Sequence, residues 1–189
     1  MINIYGGLSV QLVQDSWINT VDMRTQYLRS RGVLVWKLDN RGTARRGLKF
    51  ESWIKHNCGN VDAEDQETGA KWLIEQARLL TKYPEIFKCA VSGAPVTSWD
   101  GYDTFYTEKY MDLPDDDRYV KSSVMQHVGN LRDEQKLMLV HGMMDENVHF
   151  RHTGRLVNAL VEARKRHMPR KVDRVFMEHG IWEFIEKSL

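Results

Sequence analysis

The sequence predicts an α/β fold, a mostly parallel sheet with helices on both faces. Apolar stretches of strand length alternate with segments of helical spacing, and glycine, proline, asparagine and aspartate mark the joints between them. The 189 residues suffice for one domain, 1–189, because a chain of this length hides about 70% of its unfolded surface.

Taken in order, Ile2 to Tyr5 reads as the end of a strand, closed by a Gly6-Gly7 turn. Ser16 to Arg31 reads as a helix, with Ser16 as its cap and Gly32 just past its end. Val33 to Leu38 is bulky and partly β-branched, as a strand requires, and Asp39-Asn40-Arg41-Gly42 breaks it with turn chemistry. A long helix starts near Asp62 and runs to about Tyr83. Lys88 to Ser92 is a short strand stopped by Gly93-Ala94-Pro95, and residues 98–130 are irregular and helical. Leu137 to His141 is a strand and Gly142 to Asn147 a loop. His149 to Arg164 is an amphipathic helix with Leu156, Val157, Leu160 and Val161 on one side, and Val172 to Leu189 is a final helix.

Composition narrows the function classes. The net charge is +1, so no global field favours nucleic acid, anionic membrane or acidic substrates. No apolar run approaches the roughly 20 residues of a membrane span, and residues 1–15 have no secretory pattern. Cys58 and Cys89 form neither a C-x-x-C pair nor a disulfide framework. A reducing compartment is the default, and localisation stays open.

Two places depart from a regular α/β pattern. No strand is expected between Val35 and Val91, over fifty residues, and none between Ala163-Arg164-Lys165-Arg166-His167 and the last helix.

Several motifs carry a resemblance that covers nearly the whole chain. Tyr5-Gly6-Gly7 precedes Leu8, and Asp39-Asn40-Arg41-Gly42-Thr43 is followed by Gly47. Ala94-Pro95-Val96-Thr97-Ser98-Trp99 leads to Tyr102-Asp103-Thr104-Phe105-Tyr106, and His141-Gly142-Met143-Met144-Asp145-Glu146-Asn147-Val148-His149-Phe150 forms a third long segment. Together these resemble the catalytic domain of prolyl oligopeptidase family serine peptidases, on the dipeptidyl peptidase branch. The resemblance implies an α/β-hydrolase fold and cleavage after proline or alanine near a free N-terminus, with no cofactor. The implied substrate is a peptide with proline or alanine second from its N-terminus.

By the same resemblance, Asp145 would orient His167 and His167 would take the proton from a serine, in the hydrolase order Ser, Asp, His. Tyr5 would donate to the oxyanion. Val96, Trp99, Tyr102, Tyr106 and Val148 would line a small apolar pocket, and Asn147 would bind the substrate carbonyl. From the residues alone, Asp145 also reads as a loop aspartate capping the following helix, His167 as a surface histidine, Tyr5 as a strand-end tyrosine and the aromatics as core. Asp39 and Arg41 read as structural turn residues.

The family's Gly-x-Ser-x-Gly elbow is absent: none of the nine serines has glycine at both −2 and +2. Gln76 runs almost directly to Leu79 and Tyr83-Pro84-Glu85-Ile86-Phe87, where the family has the nucleophile strand and elbow. The expected fold is therefore an incomplete α/β hydrolase lacking that central strand and a late strand before His167. Neither the family's β-propeller nor its amine-binding glutamate pair is in this chain. The implied function is a serine-type peptidase inactive as written, or else a non-catalytic binding or regulatory protein that pairs with itself or a full-length relative. His141, His149, His152 and Asp145 lack the H-E-x-x-H pattern, so a metal is not expected. The basic run Arg164 to Lys171 fits a helix C-terminus better than a phosphate site.

Overall fold

The computed structural model describes residues 1–5, 10–17, 22–77, 89–114, 117–165, 167–170 and 174–188. The chain packs as two compact units, Met1–Lys82 and Tyr83–Leu189.

In the first unit, β1 (Ile2–Asn3) pairs in parallel with β2 (Trp36–Lys37), Ile2 opposite Trp36. The first helix, α1, is Met23–Ser30, shorter than the sequence suggests. Its cap is Asp22, not Ser16: the Asp22 carboxylate accepts from the Thr25 amide and pairs with Lys37 at 2.7 Å. A cap that also binds a strand lysine ties helix to sheet, which a free Ser16 hydroxyl would not do. Lys37, more than any other neighbour, holds the Asp22 carboxyl down to about 2, below its usual 3.8. The bridge therefore stabilises the fold above about pH 3.8 and is lost as pH falls toward 2, because the unfolded chain takes up the proton first. Asp22→Asn should lower stability by about 1 kcal/mol at neutral pH and flatten the acid limb of a Tm-against-pH curve over that window.

The 39–42 turn is a structural joint. The buried Asp39 carboxylate accepts from the amides of Leu12 and Val13 at 2.7 and 3.1 Å. Arg41 forks onto Asp65 of α3 (Val61–Ala77), which also accepts from the Arg41 amide at 2.7 Å. Gly42 has φ +95°, and a Cβ there would lie 2.7 Å from the Ile54 side chain, so only glycine fits. A short helix, α2 (Leu48–Glu51), leads into a 3₁₀ turn, Ser52–Ile54. Near the start of α3, burial pushes the Cys58 thiol up to about 12, which leaves it chemically inert.

Among its described residues, the second unit holds a three-stranded parallel sheet in the order β3 (Cys89–Gly93), β4 (Lys136–Val140), β5 (His167–Arg170). Register runs Cys89 to Lys136 and Gly93 to Val140 on one side, Leu137 to His167 and Val140 to Arg170 on the other. β4 is the central strand, and both its faces are covered. Leu139 packs with Val128, Leu156 and Leu160, the last two from α6 (Arg151–Glu162). Met138 and Val140 pack with Phe184 and Ile185 of α7 (Arg174–Glu186). Alternating residues of one strand facing two helices is the layer logic of a parallel α/β sheet. Between β3 and β4 lie α4 (Thr104–Met111), α5 (Arg118–Lys121) and two 3₁₀ turns, Trp99–Gly101 and Val124–Asn130.

The late strand corrects the sequence reading, which placed none between the helix ending near Arg164 and the last helix. His167–Arg170 has little β propensity, and Pro169 has no N–H to give. It is a strand because β4 offers an open ladder beside it, and among the described residues β5 has no second strand neighbour, a position where proline is tolerated. Among the described residues no strand lies between β2 and β3; the expected course of the long helix beyond Ala77, and the Gly6-Gly7 turn, lie outside them.

Candidate functional site

The chain turns sharply where β4 ends. His141, buried directly after the strand, engages both ring nitrogens: Nε2 donates to the Val148 carbonyl and Nδ1 pairs with the Thr153 hydroxyl, each at 2.7 Å. This pins the 142–147 loop between β4 and the first turn of α6. Asp145 sits inside the loop with Oδ1 accepting from the amides of Asn147 (3.0 Å) and Val148 (2.9 Å), while Oδ2 lies 3.7 Å from His141 Nε2. The Val148 amide, then the Asn147 amide and the neighbouring His141, hold the Asp145 carboxyl below the usual carboxylate range.

The aromatic segment contacts the loop through Tyr102. Ser98 and Trp99 start a 3₁₀ turn, and Asp103 caps α4 by accepting from the Tyr106 amide at 2.8 Å. Trp99, Tyr102 and Tyr106 form one cluster, with Trp99 stacked on Tyr106 at 6.3 Å and Tyr102 edge-on to both. Tyr102 donates its hydroxyl to Asn147 Oδ1 at 3.0 Å, which joins the aromatic segment to the Asp145 loop. Val148 is buried beneath that loop, and Val96 is partly buried just before the 3₁₀ turn.

The remaining expected site residues are His167 and Tyr5. His167 opens β5, level with Leu137, whereas the Asp145 loop leaves β4 at Val140. The two levels are about 10 Å apart along the strands, so the register does not bring the His167 backbone to the Asp145 end of β4. Tyr5 follows β1 in the first unit and is exposed.

The sequence reading missed the residues that hold the aromatic segment to α6. The Thr97 amide donates to His152 Nδ1 at 3.3 Å, and the Thr97 hydroxyl donates to the His152 carbonyl at 2.9 Å. Arg155 Nη1 reaches both oxygens of Asp100 at 3.2 and 3.0 Å, and Arg151 Nη2 donates to the Gly101 carbonyl at 3.2 Å. Asp100 also accepts from the Ser98 hydroxyl. The available signal was that Arg155 lies four residues after Arg151 and three after His152 on one helix.

These features match known proteins. The prolyl oligopeptidase family model matches residues 19–81 and 77–179. The chain belongs to the prolyl oligopeptidase family. Its two matched stretches overlap at residues 77–81. The chain is 39% identical over 186 residues to dipeptidyl peptidase 8 of Homo sapiens, covering 86% of this chain and 21% of that protein. It is 32% identical over 192 residues to prolyl endopeptidase FAP of Homo sapiens, covering 86% of this chain and 24% of that one. A solved structure from Bacteroides ovatus, described as a dipeptidyl aminopeptidase IV, superposes with TM-score 0.88 at 28% identity, over 100% of this chain and 31% of that one. The fold is thus that of the family's α/β-hydrolase domain, present in part. The chain spans about a fifth to a quarter of the curated relatives it matches. Among the described residues, no helix is long and apolar enough to cross a membrane.

Proposed function

We propose that this prolyl oligopeptidase family chain keeps a peptide-recognition surface of a dipeptidyl-peptidase-like site and lacks its hydrolytic chemistry. The observation that carries the reading is the Tyr102–Asn147 hydrogen bond, which joins the aromatic cluster to the Asp145 loop. An aromatic wall beside an amide side chain suits a small ring and a peptide carbonyl. Asp145 and His167 descend, on this reading, from a proton-relay pair. Without a Gly-x-Ser-x-Gly serine, no relay runs on this reading. Peptides with proline or alanine second from the N-terminus are the proposed ligands, and pairing with a second copy or a full-length relative is the proposed setting.

Titrating a Gly-Pro dipeptide and an Ala-Pro-Ala tripeptide into ¹⁵N-labelled chain tests this. Shifts should concentrate at Trp99, Tyr102, Asn147 and Val148, without cleavage. Asn147→Ala should weaken binding roughly three- to tenfold, the worth of one hydrogen bond. Shifts confined to other residues, or none at millimolar peptide, would remove the reading. A second reading, a serine peptidase by descent that is active only with the missing segment present, is favoured by the division of the family match into two stretches that overlap at residues 77–81.

A further inference from the structure

His152 is 1% exposed, on the first turn of α6, and faces the segment from which the aromatic cluster springs. Its Nδ1 accepts an amide proton from Thr97, so the neutral ring carries its own proton on Nε2. That Nε2–H faces the Gly101 backbone without a hydrogen bond of good geometry. The approach is close: a Cβ on Gly101 would lie 2.9 Å from His152 Cε1 and 3.2 Å from Nε2. The Tyr102 ring meets the imidazole edge-on at 6.5 Å. Thr97 is fixed from the opposite side as well, since its carbonyl accepts from the Val124 amide and the Ser123 hydroxyl. The imidazole is thus the spacer between α6, which carries the Asp145 loop at its start, and Thr97–Tyr102, which carries the aromatic wall.

We propose that His152 is a positioning residue, a neutral imidazole clamp that sets Trp99 and Tyr102 against Asn147 and releases them when Nδ1 is protonated. The inference rests on the peptide-surface reading above for its consequence, though not for its geometry. Protonation at Nδ1 would turn the acceptor of the Thr97 amide into a second donor facing a donor. The charged groups around the ring set the direction. Arg151 and Arg155 on α6 oppose a positive ring, and Asp100 on the 3₁₀ turn favours it while already engaged by Arg155. Burial is the largest influence and holds the imidazole below its usual value of 6.5. A histidine lowered in this way contributes stability above its unfolded pKa and loses it as pH falls below about 6.5 toward the folded value.

The test is long-range ¹H–¹⁵N NMR of the full chain from pH 8 to 4.5, with His152 assigned by its absence in His152→Asn. The expected result is an Nε2–H tautomer at neutral pH, titrating below 6.5, with the Trp99 indole and Tyr102 signals moving at the same midpoint. Below that midpoint Gly-Pro affinity should fall about tenfold per pH unit, following the fraction of neutral ring. Asparagine places its Oδ1 where Nδ1 lies, so His152→Asn should keep the neutral-pH Trp99 and Tyr102 signals and abolish their movement with pH. An Nδ1–H tautomer, or aromatic signals indifferent to the titration, would overturn the clamp. So would unchanged pH dependence in His152→Asn. Coupled titration with no dipeptide binding at any pH would support the clamp and defeat the peptide reading instead.

Discussion

A fluorophosphonate probe should leave this chain without a stoichiometric serine adduct under conditions that fully label an active serine hydrolase. None of the nine serines lies in a Gly-x-Ser-x-Gly frame, the strained turn that exposes a nucleophilic hydroxyl. Five serine hydroxyls are spent on hydrogen bonds within the fold: Ser30 to the Tyr27 carbonyl, Ser52 to the Lys49 carbonyl, Ser188 to the Phe184 carbonyl, Ser98 to the Asp100 carboxylate and Ser123 to the Thr97 carbonyl. None of these five donates to a histidine, and Ser98, bonded to the Asp100 carboxylate, lies in no glycine elbow. Loss of the nucleophile from a triad enzyme lowers kcat by about 10⁶, leaving some 10³–10⁴ over water, so a chromogenic Gly-Pro amide should also show no turnover above background. Mapping by mass spectrometry decides the matter. A single modified serine whose labelling is abolished by prior unfolding would show that a nucleophile survives. The proposal of a silent hydrolase domain would then fall.

The second large effect is on stability. Met138→Ala should lower the stability of the second unit by about 2–5 kcal/mol, the range for truncating a buried methionine. Met138 is 0% exposed, on the central strand, under Phe184 and Ile185 of α7. A domain holds only about 5–15 kcal/mol in all. In urea, with a slope of about 1–3 kcal/mol per molar, the midpoint should drop by roughly 1 M or more. Met138→Leu nearly conserves volume and should stay within about 1.5 kcal/mol of the parent. Equal behaviour of the two variants would mean that β4 is not the packed centre of the sheet.

Much of this architecture is legible in the residues. The strand at 136–140 and the helix at 151–162 announce themselves because burial imposes a regular spacing on their apolar positions. The 98–130 stretch shows its irregular helical character through its Tyr and Asp content. Helix starts are less legible. Ser16 and Asp22 both satisfy the capping preference, and the choice fell to Asp22 because Lys37, fifteen residues away, binds the same carboxylate. The strand at 167–170 carries no propensity signal, since its reason to exist is an open neighbour in the sheet.

The sequence by itself determined the α/β class, the family and the absence of a Gly-x-Ser-x-Gly pattern, because each is written in local order: alternation, contiguous motifs, one missing pentapeptide. Tertiary structure decided which groups meet. Thr97 and His152 are 55 positions apart, Tyr102 and Asn147 are 45 apart, and their contacts leave no period in the chain. The same holds for His167, whose motif-like place in the order of residues gave no warning of its strand register beside Leu137. Local rules act through neighbouring backbone and side-chain periodicity, whereas a site is assembled by packing between elements that local rules do not relate.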